Sequence, residues 1–354
     1  MPVAAPPTSV AFGLRLLAQL GPGAALSPFS VHRALATVRE GASGAAREAL
    51  DAVLGPEAPA ALEVSDPGVE LALAQAVWID RAYRLAPGFA ARAQALGVEC
   101  RTVELATAAP EVNAWAAERT RGMIDSVVDG FEPDEVFALA DAAYFDGAWT
   151  QAFDPGATAP ATFRREDGTA SPVPTMHAEG EFEYGEDDDL AAIRLPYGDT
   201  LDLGFIAVLA REGLEPPLIG AERWGALRAG MARRSGKLAL PRLALESRLD
   251  LDAPLRALGL GPAFEPGADW DGLFEGPGRK ALSRVLHRAR VDLDERGTRA
   301  AAVTVVTARA VSLVVDPPPP FDLRLDRPFL WAIEHRPTGT LLFLGTVTDP
   351  EESI

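Results

Sequence analysis

Apolar residues at helical spacing open the chain. Phe12 to Leu20 reads as a helix closed by Gly21-Pro22-Gly23. Ser27 or Ser30 can cap a second helix from Val31 to Glu40, and Ala45 to Leu54 is a third, stopped by Gly55-Pro56. Glu70 to Asp80 alternates as a strand does, Pro87 to Leu96 returns to helical spacing, and Glu99 to Leu105 is again extended. Glu111 to Val128 is the clearest amphipathic helix, with Val112, Trp115, Thr120 and Ile124 on one face. Val136 to Phe145 is almost wholly apolar, as a strand buried on both faces must be, with Asp141 alone inside it.

From there strands accumulate. Thr162-Phe163, Phe182 to Tyr184, Ala191 to Leu195, Leu201 to Leu209 and Lys237 to Leu245 are short strands with turn signals between them. Leu251 to Leu258 is helical and Trp270 to Phe274 is a compact turn. The chain closes on strands at Phe329 to Glu334 and Leu341 to Thr348. With no regular strand–helix alternation, no internal repeat and no composition shift, the pattern predicts one α+β domain over residues 1–354.

One stretch resists this reading. Val291 to Pro320 has the Val, Thr and Ala density of a buried strand. Yet it is flanked by Asp294-Glu295-Arg296-Gly297, which is turn chemistry, and by Pro317 to Pro320, which cannot donate to a ladder. It is written as a strand and punctuated as a loop.

Composition narrows the function. Hydrophobic residues make up 48 % of the 354, ample for a large core, and the net charge of −18 argues against nucleic acid or a heparin-like polyanion as partner. Only Lys237 and Lys280 are lysines, an arginine bias of the kind GC-rich bacterial genomes impose. Cys100 is the single cysteine, so no internal disulfide forms. Met1 to Pro7 lack the basic start and apolar run of a signal peptide, and no stretch approaches the roughly 18 apolar residues of a membrane span.

Catalytic and cofactor motifs are missing. His32, His177, His287 and His335 fall in no metal-ligand spacing, and there is no GxSxG elbow, Walker A or GxGxxG loop. Glu186-Asp187-Asp188-Asp189 beside Gly185 reads as a solvated turn. The residues point away from an enzyme, and to neither a cofactor nor a metal.

Several blocks, in order, resemble the serpin family of serine protease inhibitors over nearly the whole chain. They are Ser27-Pro28-Phe29-Ser30-Val31 with Gly41-Ala42, Asn113-Ala114-Trp115 to Gly122-Met123-Ile124, and Asp141 to Trp149 with its Gly-x-Trp end. Leu240-Pro241-Arg242-Leu243, Leu258-Gly259-Leu260, Ala263-Phe264, His287, Asp294 to Ala302, Asp326-Arg327-Pro328-Phe329 and Leu342-Phe343-Leu344-Gly345 follow.

The resemblance implies three β-sheets, eight or nine helices and an exposed reactive-centre loop at about 295–320. It also implies a suicide mechanism. A target serine protease attacks the loop and is acylated, the cleaved loop inserts as a new strand of the large sheet, and the protease is dragged away and distorted before deacylation. Glu295, Gly297, Thr298, Arg299, Ala300, Ala301 and Ala302 match the hinge of that loop, with Arg299 standing where the family usually has Glu. Ser27, Ser30, Asp141 and His287 match the residues that control sheet opening, with Asp141 in place of the usual Asn. The family also suggests an extracellular setting, whereas the missing signal peptide leaves a cytoplasmic one open. A non-inhibitory serpin, acting as a binding or chaperone-like protein, is the competing reading.

The residues supply their own test. An inserting strand must present one parity of small, uncharged side chains. The even set, Thr298, Ala300, Ala302, Thr304, Val306 and Ala308, does so, whereas Arg299 and Arg309 both fall in the odd set and are expected on the solvent side. Family spacing counted from Glu295 places the scissile bond at Val311–Ser312, suited to an elastase- or subtilisin-like protease. Arg309–Ala310 is the trypsin-like alternative, two residues (about 7 Å) nearer the hinge, and Leu313 is a further candidate. Counting back from Asp326 lands near Pro317.

Overall fold

A computed structural model describes residues 7–56, 59–60, 62, 64–267, 270–278, 280–298 and 318–350. Helix α1 (Thr8–Leu17), the two-residue strand β1 (Ala25–Leu26), α2 (Pro28–Arg39) and α3 (Gly44–Leu54) lead the chain. Strands β2 (Val69–Asp80) and β3 (Arg84–Leu85), helix α4 (Phe89–Ala95), β4 (Glu99–Val103), α5 (Ala109–Arg119) and β5 (Phe137–Ala148) follow. Then come β6 (Ala159–Arg164), β7 (Ala170–Glu186), β8 (Leu190–Tyr197), β9 (Leu203–Ala210), α6 (Ala221–Ala229), β10 (Ala232–Pro241) and β11 (Leu243–Asp250). The chain ends through α7 (Asp252–Leu255), β12 (Phe274–Glu275), β13 (Leu282–Leu293), β14 (Gly297–Thr298), β15 (Phe321–Arg324), β16 (Phe329–His335) and β17 (Thr340–Val347). The described residues thus hold seven α-helices, four short 3₁₀ or π turns and three sheets.

The six-stranded sheet positions the site. Its order is β11-β13-β5-β2-β4, with β14 added on β5. Side-chain parity divides its two faces. Even residues Trp78, Ala138, Ala140, Ala142 and Tyr144 pack under Val112 and Trp115 of α5. Odd residues Val77, Phe137, Leu139, Ala143 and Phe145 face the main core, shared with α1–α3 and the nine-stranded sheet. The near-continuous apolar run of β5 follows from this double burial.

Several elements differ from the sequence pattern. The helix expected over 111–128 stops at Arg119, because Arg121 (φ 53°) and Gly122 (φ 79°) reverse the chain. The returning segment is clamped by Asn113, whose Oδ1 accepts from the Val127 and Val128 N–H groups (2.7 and 3.1 Å). Val112, Trp115, Thr120 and Ile124 are buried regardless, so the face was right although the helix is shorter. Lys237 to Leu245 is two strands, since Pro241 ends β10 and the chain changes sheets at Arg242. Strand β13 and helix α6 were not foreseen.

Candidate functional site

Strand β13 runs parallel to β5 from Leu282 opposite Phe137 to Val291 opposite Phe145, with one shift of register between Leu282 and Arg284. The six-stranded sheet, the counterpart of the large sheet that the resemblance implies, is therefore closed along this seam. Beyond Val291 the chain turns at Asp294–Gly297, which exchange backbone hydrogen bonds (2.7 and 3.2 Å). It then reverses, and Gly297 and Thr298 pair antiparallel with Ala148 and Gly147 of β5. The first residues after the turn already form strand in the large sheet.

The turn is anchored from below. The Trp149 N–H donates to the Arg296 carbonyl (2.9 Å) and the indole N–H to the Asp294 carbonyl (2.9 Å). The Phe153 N–H donates to the Glu295 carbonyl (2.8 Å). Trp149 stacks on Tyr197 at 4.4 Å, and the Tyr197 hydroxyl lies 2.8 Å from Thr298 Oγ1. Thr298 is wholly buried, on the core side that its even number requires. Gly297 has no alternative: at φ 143° an added Cβ would sit 2.1 Å from the Gly147 carbonyl oxygen. Glu295 is buried, its Oε1 accepting from Arg242 Nη2 (2.5 Å) and Thr158 Oγ1 (2.5 Å). Burial acts to raise the Glu295 pKa, but the bonds from Arg242 and Thr158 outweigh it and hold the carboxyl below its usual value. Arg299, Ala300, Ala301 and Ala302, and the bond candidates Arg309, Ala310, Val311, Ser312 and Leu313, lie outside the described residues.

Ser27, Ser30, Asp141 and His287 converge about halfway down the seam, all 1 % exposed or less. Gln75, Asp141 and His287 form a row across β2, β5 and β13 on the core face, directly under the start of α2. Pro28 at the first helical position starts that helix, and the cap Ser27 accepts from the Ser30 N–H. Asp141 Oδ1 accepts from Ser30 Oγ (2.5 Å), and Oδ2 lies 3.2 Å from His287 Nδ1, out of line for a full hydrogen bond. The Ser27 N–H donates to His287 Nε2 (2.9 Å). That bond fixes the tautomer: Nε2 is the acceptor, so a neutral ring carries its proton on Nδ1, toward the carboxylate. Gln75 completes the row, its Nε2 donating to Ser30 Oγ (2.7 Å) and the Ser30 carbonyl (2.8 Å). Sequence reasoning passed over Gln75, although a lone amide in an apolar strand was a visible signal.

The remaining candidates lie apart from this site. Glu186, Asp187 and Asp189 are neutralised by Arg211, Arg223 and Arg234. Cys100 is half-buried, and burial pushes its thiol up to about 11. His32 is buried against the Leu54 carbonyl.

Comparison with known proteins places this geometry. A family model described as serpin (serine protease inhibitor) matches residues 8–350. A serpin-like protein of Thermococcus kodakarensis is 33% identical, covering 92% of this chain and 80% of its own length. Serpin-Z2B of Triticum aestivum is 32% identical over 92% of this chain and 90% of its own. Plasminogen activator inhibitor 1 of Bos taurus is 30% identical over 79% and 72%. Among solved structures, native tengpin, a thermophilic serpin, superposes with a TM-score of 0.86 at 22% identity, over 97% of this chain and 93% of that one. A family model spanning almost the whole chain, relatives above 30% identity and the shared fold agree. This chain belongs to the serpin family.

Proposed function

We propose that the protein is an irreversible suicide-substrate inhibitor of serine endopeptidases, with elastase- or subtilisin-like enzymes as targets. One observation carries the reading. The large sheet is closed between β5 and β13, yet Gly297 and Thr298 are already laid on β5 in the antiparallel register a further strand would follow.

Extending that register sets Ala300 opposite Phe145, Ala302 opposite Ala143 and Thr304 opposite Asp141. Val306 then meets Leu139 and Ala308 meets Phe137, where β5 begins. Every even residue of the loop would enter the core face, where only small or aliphatic side chains fit, and the odd residues Arg299 and Arg309 would face the α5 side. Twelve residues at strand rise amount to about 40 Å of travel for the attached acyl-enzyme. Cleavage at Val311–Ser312 leaves a short tether beyond the strand end. Cleavage at Arg309–Ala310 would put the protease against the sheet itself, which favours Val311 as the residue that becomes acylated.

The account of Ser27, Ser30, Asp141 and His287 follows from the same movement. Insertion must part β5 from β13 and so separate Asp141 from His287. These groups act as the latch on the seam.

Incubation with elastase, subtilisin and trypsin, followed by denaturing electrophoresis, tests the proposal. An SDS-resistant band at the summed mass, with a released peptide beginning at Ser312, is the expected result. Cleavage of the loop by all three without any covalent complex would instead support a non-inhibitory serpin.

A further inference from the structure

The hinge anchors Trp149 and Phe153 also wall a cavity that loop insertion does not use. It lies between the segment after β5 and strands β7, β8 and β10, with a volume of about 240 Å³. That is smaller than the sites of drug-sized ligands, and suits a molecule of one or two rings. Trp149, Phe153, Phe182 and Leu195 make much of it apolar.

Arg194 lines the same cavity and is only 3 % exposed. Its Nη2 donates to the Leu201 carbonyl (3.1 Å), but Nε and Nη1 make no hydrogen bond. The nearest carboxylates, Glu183 and Glu334, each stand 3.9 Å away and are engaged elsewhere, Glu183 by Arg336 and Glu334 by Arg228. A buried guanidinium with three N–H bonds that make no hydrogen bond is costly, and native structures rarely retain one without use. Around it the lining carries Arg194, Arg233 and Arg336 against Glu181 and Glu183, three positive charges to two negative, in a chain of net charge −18.

The rim gives a second sign. Leu201 holds φ 64°, a left-handed conformation that costs a branched side chain, and leaves that side chain 43% exposed. Backbone strain and an exposed apolar group together beside a cavity are features of binding sites.

We infer that this cavity binds a small aromatic carboxylate, its anion received by Arg194 and its ring held by Trp149, Phe153 and Phe182. Because Trp149 and Phe153 hold the carbonyls of Asp294, Glu295 and Arg296, an occupied cavity braces the hinge and slows insertion. This consequence rests on the inhibitory reading above; the binding does not.

Calorimetric titration of the full-length protein with 2-naphthoate, and in parallel with neutral 2-naphthamide, separates the claims. The acid should bind one-to-one with Kd on the order of 100 µM, and the amide at least tenfold more weakly. Arg194→Gln should erase that preference. Ala178→Trp, which fills the cavity and leaves Arg194 in place, should abolish binding while a thermal melt verifies folding. Absence of binding, equal affinity for acid and amide, or unchanged binding to Ala178→Trp would each overturn the site. With saturating 2-naphthoate, more loops should be cleaved per protease trapped. Binding without such a change removes the bracing step alone. A protein that binds the acid but never traps a protease removes the inhibitory reading and leaves the site standing.

Discussion

Replacing Thr298 by arginine puts the insertion argument under direct strain. The Thr298 side chain is fully buried and sits 2.8 Å from the Tyr197 hydroxyl, next to Gly147 and the ring of Phe145. Nothing acidic lies among these contacts to receive a guanidinium. Burying an uncompensated charge costs about 3–5 kcal/mol. In the intact protein the arginine would escape this cost by leaving the edge of β5, so if about 3 kcal/mol of it returns when the loop inserts, the step slows roughly 150-fold. Deacylation does not involve this residue and keeps its rate. The acyl-enzyme should therefore escape far more often, and the number of inhibitor molecules consumed per protease inactivated should rise from near one to above about ten.

The measurement is the stoichiometry of inhibition, read from residual protease activity over a range of inhibitor ratios. Arg299→Ala is the matched control, because strand alternation after Thr298 would turn an inserted residue 299 away from the core, and it should stay within about twofold of the parent. Trapping by Thr298→Arg at the parental stoichiometry would refute the reasoning. Equal loss at 298 and 299 would show that length or flexibility of the hinge matters and parity does not.

Other consequences follow from single contacts. Gly297→Ala places a Cβ against the Gly147 carbonyl, so β14 should be expelled from the sheet; faster proteolysis near 297 and at least about 1 kcal/mol of lost stability should result, and unchanged proteolysis would contradict the backbone account. Asp141→Asn removes the carboxylate that accepts from Ser30 Oγ and faces His287 Nδ1 across the seam, so the latch should loosen and insertion should quicken; a trapping rate equal to that of the parent would dispose of the latch. Asp252 is pushed up to about 7, by burial first and then by the charge of Asp250. A carboxyl raised in the folded state stabilises it while protonated, so stability should fall as pH rises from about 4 to 7 and then level. Asp252→Asn keeps the oxygen that accepts from the Val285 N–H (2.8 Å) and should recover about 1–2 kcal/mol, after solvent screening, at pH 8 and less at pH 5.

The sequence carried the parity of the loop because a strand's faces alternate whatever the fold around it. Thr298 could therefore be assigned inward before any neighbour was known. The length of α5 was not legible in the same way. Arg121 takes a left-handed conformation only because Gly122 follows and Asn113 clamps the returning chain, and a hydrophobic periodicity sees neither. Strand β13 escaped for the opposite reason. Its outer residues Arg284, Arg288 and Arg290 are charged and find partners such as Asp250 and Glu246, so its alternation read as polar chain.

Ser27, Ser30, Asp141 and His287 share no spacing, and family likeness alone gathered them before the structure did. Gln75 shows what that route omits, since it bonds Ser30 as firmly as Asp141 does. The cavity at Arg194 had no sequence signal at all. It is assembled from strands far apart in the chain, and its mark is hydrogen bonds not made.

The central claim is that the loop becomes a strand, and the thermal stability of the cleaved protein tests it most directly. After nicking near Val311 and removal of the protease, the two-chain product should melt more than about 10 °C above the intact protein, because the seam between β5 and β13 then holds a paired strand. A cleaved product that melts at or below the intact protein would contradict the account.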